Sequence, residues 1–316
     1  MRAIAIAFAM VALAGAAHAD DPAPPATPDS GVTATLPPPP LPPPPPYALP
    51  FQLRPAAVAD VVRSDTSIAR YHSNGGGTTV ASTFLIATRI TSTIAPLFRV
   101  AVVHDAPPTG TGATAVSNPL LGLVWAAPVA PPFKATVLGA FTIPVGSGGG
   151  DTPDPARAAA IKTGVLARSA MDNALFAVND VAAIAGADLA YVQGGLTVQG
   201  EVTLFQLTRV RGSALQPDER KTNATTGLFV GYTVRPTLAL GAELRYQRWL
   251  STPASVAADM TGATRDNLSA AIGVRTKLDL GGGRALKPGL SYARGLDDPI
   301  SKRSYQIVQV DLPFTF

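Results

Sequence analysis

The sequence predicts an all-β protein, a transmembrane antiparallel up-and-down β-barrel of twelve strands, preceded by a disordered Pro-rich N-terminal segment. Three observations carry this. The chain ends on a strand in which Val308, Val310, Leu312, Phe314 and Phe316 alternate with Ile307, Gln309, Asp311, Pro313 and Thr315, the two-residue period of a strand with unlike faces. After Phe51, stretches long enough to cross a bilayer at a tilt are separated by breaks that are alternately short and long. The N-terminus carries an export signature.

That signature is Arg2, an apolar run from Ala3 to Ala16, and the small-x-small site Ala17-His18-Ala19. It predicts a secretory signal peptide over residues 1–19 and a mature chain starting at Asp20. The run is short for a membrane helix and leads into a Pro-rich stretch, and no Cys follows the site, which excludes a lipoprotein. Residues 20–50 form a periplasmic linker centred on Pro37 to Pro46, a composition that favours polyproline II over a packed core. At about 3.1 Å per residue, Leu36 to Pro50 reaches roughly 45 Å. A passive linker and a tether to a periplasmic partner or the cell wall are both open at this stage. The barrel itself is expected over residues 51–316.

Composition excludes several classes. The 316 residues include no Cys, 29 Gly and 31 Pro, with 15% charged residues and a net charge of +4. No later apolar run is long enough for a membrane helix, no disulfide framework exists, and the charge is too small to imply a nucleic-acid partner.

Short breaks fall at Thr91-Ser92, Pro131-Pro132, Gly194-Gly195, Arg235-Pro236-Thr237 and Gly281-Gly282-Gly283, mostly tight-turn chemistry. Long ones fall near Ser73 to Gly77, Pro107 to Asn118, Ser147 to Asp180, Gly212 to Lys221, Ser251 to Ala263 and Gly295 to Ser301. Short turns face the periplasm and long loops the exterior in such barrels, so five turns and six loops join twelve strands. The even count returns both termini to the periplasm. The first strand, between Leu53 and Tyr71, loses parity at Val61, Val62 and Ile68, which leaves ten or fourteen strands open.

Faces are clearest late in the chain. Leu238, Leu240, Ala242, Leu244 and Tyr246 are expected on lipid, with Gly241, Glu243, Arg245 and Gln247 inside. In the next strand Leu268, Ala270, Ile272, Val274 and Leu278 face out, and Asn267, Ser269, Gly273, Arg275 and Lys277 face in. Tyr191, Tyr232, Tyr246, Trp249 and Tyr292 suit the aromatic girdles, although Trp249 has inward parity. A soluble β-sandwich would carry polar outer faces instead.

The same parity nominates a lumen site. Arg89, Arg99, Arg209, Arg245, Arg275 and Lys277 with Asp188, Glu201 and Glu243 are the selectivity candidates, and Lys134, Arg211, Lys287 and Asp105 join them at the lumen or rim. Cations exceed acids in this set, so an open pore would favour anions; pairing across a narrow interior would plug it instead. The break from Ser147 to Asp180 opens with Gly148-Gly149-Gly150 and continues into a helix-compatible Ala156 to Leu175, suited to a constriction or lid.

Other chemistries are weakly signalled. Asp151-Thr152-Pro153-Asp154 offers oxygen ligands but matches no Ca²⁺-loop spacing, and His104-Asp105 is an isolated pair. Tyr71-His72-Ser73-Asn74-Gly75 looks like the His-Ser segment of twelve-stranded outer-membrane phospholipases, yet adjacent His72 and Ser73 point to opposite faces of a strand. Gly148-Gly149-Gly150 lacks the Lys-Ser or Lys-Thr of a phosphate loop. No catalytic residue, metal or cofactor is expected.

Phe141-Thr142-Ile143-Pro144-Val145-Gly146 before a Gly-rich loop, together with the terminal Phe316, resembles Gram-negative outer-membrane channel and transporter-like barrels, including the group associated with aromatic-compound degradation. The resemblance implies an outer-membrane address, surrounding outer-membrane lipid, and Phe314 and Phe316 as a signal for the β-barrel assembly machinery. It also implies passive passage of small solutes; a plugged, anchoring barrel is the alternative.

Overall fold

The computed structural model describes residues 46–72, 75–215, 218–260 and 264–316. The expected signal peptide, the linker up to residue 45, and Ser73 and Asn74 lie outside the described residues. Fifteen hydrogen-bonded segments form one sheet: β1 (Val61–Tyr71), β2 (Gly77–Ala87), β3 (Ile94–Ala106), β4 (Ala113–Val116), β5 (Leu120–Ala127), β6 (Phe133–Thr142), β7 (Asp180–Gln193), β8 (Leu196–Arg209), β9 (Arg220–Arg235), β10 (Leu238–Trp249), β11 (Asp266–Thr276), β12 (Leu278–Gly281), β13 (Arg284–Leu286), β14 (Gly289–Gly295) and β15 (Gln306–Thr315). Three consecutive pairs, β4 with β5, β11 with β12 and β13 with β14, are pieces of single wall strands. Twelve wall strands remain, as the alternation of short and long breaks predicts.

The sheet closes where β15 pairs antiparallel with β1 over ten residues, from Val61 opposite Thr315 to Arg70 opposite Gln306. Closure satisfies the edge groups that lipid could not. The turns joining β7 to β8, β9 to β10 and β12 to β13 coincide with the expected tight ones, and Gly194, Gly195, Gly281, Gly282 and Gly283 take positive φ there. Parity holds along the later strands. Leu240, Leu244 and Ile272 are exposed on the outer face, while Glu243, Arg245, Gln247, Asn267 and Ser269 are buried.

The first strand is shorter than the stretch from Leu53 to Tyr71. In β1 the inward residues are Arg63, Asp65, Ser67, Ala69 and Tyr71, and the outer face mixes Val62 and Ile68 with Ser64 and Thr66. Thr66 and Ser82 pair their hydroxyls across β1 and β2 at 2.9 Å. This pairing meets the polar needs of an outer face that the hydrophobic pattern alone does not mark.

The core lies inside the barrel. The loop between β6 and β7 contains α1 (Pro155–Ala167) and α2 (Asn173–Phe176). Asp154 caps α1 by accepting from the Arg157 backbone N–H, and Pro155 occupies its first turn, both favourable at a helix start. α1 packs against β1 to β4, where the inward residues Ala69, Ala81, Ala101 and Ala115 are small enough to admit a helix. Among the described residues, no helix is long and apolar enough to cross a membrane.

Placing Arg at Leu244, near mid-strand on the lipid face, is expected to cost about 2 to 4 kcal/mol. Denaturant unfolding of the barrel in lipid vesicles measures it, and Gln247→Arg, on the inner face, provides the comparison.

Candidate functional site

Two inserts meet inside the lumen. Residues 46–60, ahead of β1, enter from the periplasmic end, turn near residues 51–54, and return to the wall. The last residues of the Pro-rich stretch, Tyr47 to Pro50, therefore sit within the barrel rather than below it. From the other end come α1, α2 and the turn between them.

The periplasmic insert is held by the wall's inward polar side chains. Near the rim, Tyr47 donates to Gln199 at 2.5 Å, and the Ala48 N–H donates to Thr197 at 3.0 Å. Deeper, Glu243 accepts from the backbone N–H groups of Phe51 and Gln52, and Glu201 accepts from the Arg54 N–H at 2.6 Å. The Arg54 guanidinium binds Asp188 at 2.7 Å, and Asp188 also accepts from Thr136. The Phe51 carbonyl accepts from Arg63 and Gln309, while Arg275 reaches the carbonyls of Leu49 and Pro50. Burial opposes the charge on Arg54, but Glu201 and Asp188 outweigh it and hold the guanidinium more firmly protonated than usual.

Apolar contacts complete the seat. Phe51 meets Phe229 edge-on with centroids 6.4 Å apart, and the Arg275 guanidinium lies 5.4 Å from the Phe51 ring centroid, a favourable cation–π distance. Two wall glycines make the space. A Cβ at Gly227 would lie 2.4 Å from a Leu53 methyl, and one at Gly273 would lie 2.7 Å from the Phe51 ring. The wall is shaped for this insert.

The outer insert meets the periplasmic one through the Arg168 carbonyl, which accepts from the Gln52 amide at 2.6 Å. Arg168 itself is fully buried and bridges Asp172 at 2.9 Å, Asp65 at 3.3 Å and Ser67 at 3.1 Å. Arg99 binds both oxygens of Asp172, at 2.7 and 3.0 Å. Arg245 pairs with Glu243 and reaches Ser169, whose carbonyl accepts from Asn267. Ser169 and Ala170 have φ of 53° and 56°, a left-handed pair of non-glycine residues at the innermost point of the loop. Burial would raise the Asp172 carboxyl, but Arg99 and Arg168 outweigh it and hold the group below the usual carboxylate range.

Six arginines, Arg54, Arg63, Arg99, Arg168, Arg245 and Arg275, thus face six carboxylates, Asp65, Asp172, Asp188, Glu201, Glu243 and Asp311. The middle of the lumen is charge-balanced. Of the residues nominated from sequence, Arg99, Asp188, Glu201, Glu243, Arg245 and Arg275 come together here. Arg209 lies near the outer end and pairs with Asp180, which Lys221 also binds. Arg89 sits at a periplasmic turn on Asp60, and Lys277 sits at the same rim, 3.8 Å from Asp279. Phe314 and Phe316 stack with centroids 5.9 Å apart at the periplasmic end of β15.

The weaker sequence signals find other uses. Asp154 is the α1 cap and Asp151 accepts from the Ala214 N–H. His104 is on the outer face, bonded to Thr114, whereas Asp105 is inside and accepts from Thr79, so the two do not converge. Arg54, Arg63, Asp65, Arg168, Asp172 and Asp311 were not singled out. Arg63 and Asp65 alternate two residues apart, and that spacing was the available signal for an inward charged face.

Cavities lie on both sides of the junction between the inserts. One of about 120 Å³ lies between the inserts, lined by Gln52, Leu53, Arg54, Met171, Asp172 and wall residues. The other, about 660 Å³, is a vestibule at the outer end lined by residues including Lys162, Ala170, Asn173, Asp180, Lys221 and Trp249. Residues 170–177 divide them: Met171, Asp172, Ala174 and Leu175 line the inner space, and Ala170, Asn173, Phe176 and Ala177 the outer.

No known protein family's sequence profile matches this chain, and no curated protein matches it by sequence. By structure, the NanC porin aligns with 81% of this chain and all of its own, at 7% identity and a TM-score of 0.50. The COG4313 outer membrane channel from Pseudomonas putida F1 aligns over 85% and 98%, at 11% identity and a TM-score of 0.50. The likeness is one of fold. The chain has the closed twelve-stranded β-barrel fold of these outer-membrane proteins. Within this barrel, two inserts occupy the lumen on a wall that supplies their partners.

Two outcomes are expected. The chain has no Cys, so Ala56→Cys, at a buried insert position, will be protected from a water-soluble maleimide; adding Gly227→Ile will crowd Leu53, loosen the insert, and raise labelling several-fold. The lowered Asp172 carboxyl stabilises the outer insert above the ordinary carboxylate range. That contribution is lost as pH falls through the folded value, so proteolytic clipping of the 150–175 loop should stay slow at neutral pH and accelerate below about pH 4.

Proposed function

We propose that the barrel is a gated passage for small polar solutes across the outer membrane, closed in this state and opened by movement of residues 46–60 together with the dividing segment at 170–177. The observation that carries the reading is the series along the lumen: an outer vestibule, a dividing segment at 170–177, an inner polar cavity, and a removable insert. The structural likeness to barrels named as a porin and an outer membrane channel supports it. Passage would run down the solute gradient, with no cofactor and no catalytic step.

Selectivity would be weak in mid-lumen. Withdrawal of the insert takes Arg54 away from Asp188 and Glu201, so the opened interior would not carry the cation excess of an anion-selective pore. Any anion preference would come from rim cations such as Lys277 and Lys287. A second reading, a permanently plugged barrel that anchors the envelope through its N-terminal segment, is favoured by how completely the inserts are bonded.

Single-channel recording separates the two. The mature protein in a planar bilayer is expected to be mostly silent with brief openings, and removal of both inserts, by deletion of residues 46–58 and replacement of residues 151–176 with a short Gly-Ser linker, is expected to give steady conductance with little anion preference. A deletion variant that folds yet stays silent would leave only the anchoring reading.

A further inference from the structure

The lipid-facing surface is apolar along β14 and β15 until their outer ends, and beside them β1 carries Val62, Ser64, Thr66 and Ile68 outward. There Gln306 of β15 stands directly opposite Arg294 of β14 on one side and Arg70 of β1 on the other. All three are exposed, and their chain neighbours Ala69, Ala293 and Ile307 are buried, so the three side chains share the outward face. Among the described residues, neither Arg70 nor Arg294 forms an ion pair. The comparable outer cation Arg248 is neutralised by Asp266 at 3.1 Å.

Height along the wall identifies the surroundings. Gln306 and Phe316 are ten residues apart, which at about 3.4 Å per residue and a tilt near 40° is roughly 26 Å of vertical rise, close to the apolar band of such barrels. Val308, Val310, Leu312 and Phe314 fill the outward positions between them, and Tyr292, one outward position below Arg294, lies on the same face. The two arginines therefore sit at the exterior edge of the hydrocarbon layer, at headgroup level. Adjacent strands are about 4.8 Å apart, so the Arg70 and Arg294 backbones are separated by roughly 10 Å, and two extended guanidinium side chains can converge above Gln306. Planar guanidinium forks suit phosphate, and a cation at the interface without a protein partner is completed by an anionic headgroup.

We propose that Arg70, Gln306 and Arg294 form a binding site for the phosphate of an outer-leaflet glycolipid, fixed on the seam where the barrel closes. The two arginines clamp the phosphate, the Gln306 amide donates between them, and the Tyr292 ring packs beside the first methylenes of the acyl chains. The lipid so held covers the β14–β15–β1 surface and braces the closing strand pair.

The test uses the full mature protein refolded in detergent and native mass spectrometry. The probes are hexa-acylated lipid A with both phosphates, the same lipid with its phosphates removed, and inorganic phosphate as competitor. The native barrel is expected to retain the phosphorylated lipid in preference to the dephosphorylated one. Arg70→Gln with Arg294→Gln is expected to weaken retention by roughly tenfold or more, as loss of charge-assisted hydrogen bonds predicts, whereas Arg248→Gln should leave it unchanged. Equal retention of the two lipids by the native protein overturns the proposal without requiring any variant. So does undiminished retention by the double variant, an equal loss in Arg248→Gln, or displacement of the lipid by inorganic phosphate, which would make the site one for the free ion.

Discussion

Closure of β15 onto β1 is the constraint on which the rest of the structure depends. In lipid an unpaired strand edge has no water to satisfy it, so the wall must return to its start. Once it does, polarity inverts. Side chains that would form the hydrophobic core of a soluble sheet face outward, and the interior becomes the place for charge. A ring of twelve wall strands leaves an interior wider than its own side chains can fill. The chain fills it with segments of its own, a helix over the alanines of β1 to β4 and an N-terminal insert over the glycines of β9 and β11.

The interior charges explain why both inserts are needed together. An arginine removed from water is costly unless paired and hydrogen-bonded, and removing one partner of a buried pair costs more than the pair gains. Arg168 of the outer insert uses Asp65 and Ser67 of the wall, Arg54 of the inner insert uses Asp188 and Glu201, and Gln52 joins the inserts directly. The inner insert cannot leave without stripping Asp188 and Glu201 of Arg54, and the outer one cannot leave without stripping Arg99 of Asp172. Under the gating proposal, opening would be coupled to hydration of the lumen, since only water entering behind the departing segment can take over its bonds.

The wall was legible because its signal is periodic. Two-residue alternation and the rhythm of turns and loops name the wall strands from β2 onward, except that β4 falls within the expected loop from Pro107 to Asn118, and Arg245, Glu243 and Arg275 fall inside by parity alone. β1 was blurred because Ser64 and Thr66 occupy the lipid face, where Thr66 satisfies its hydroxyl against Ser82, a cross-strand contact with no local mark. The inserts were harder still. Residues 46–60 have no period, and up to Pro50 their composition reads as linker; what places Leu53 and Phe51 inside is the missing Cβ at Gly227 and Gly273, 174 and 222 residues further along the chain. The cation excess expected from parity rests on Arg89, Arg209 and Lys277, which lie toward the two ends of the barrel, because two-residue alternation says which face a side chain takes but not its height along the wall.

The path of the inner insert sets how it would respond to force. Tyr47 and Ala48 bind near the periplasmic rim, Phe51 and Arg54 bind deeper, and residue 61 is already fixed in the wall. A load applied at Pro46 along the barrel axis would meet these attachments one after another rather than all at once. Peeling breaks bonds in series and needs far less force than shearing them together. Under the gating proposal, a strap fastened this way would hold against random thermal motion yet could be released from its rim end.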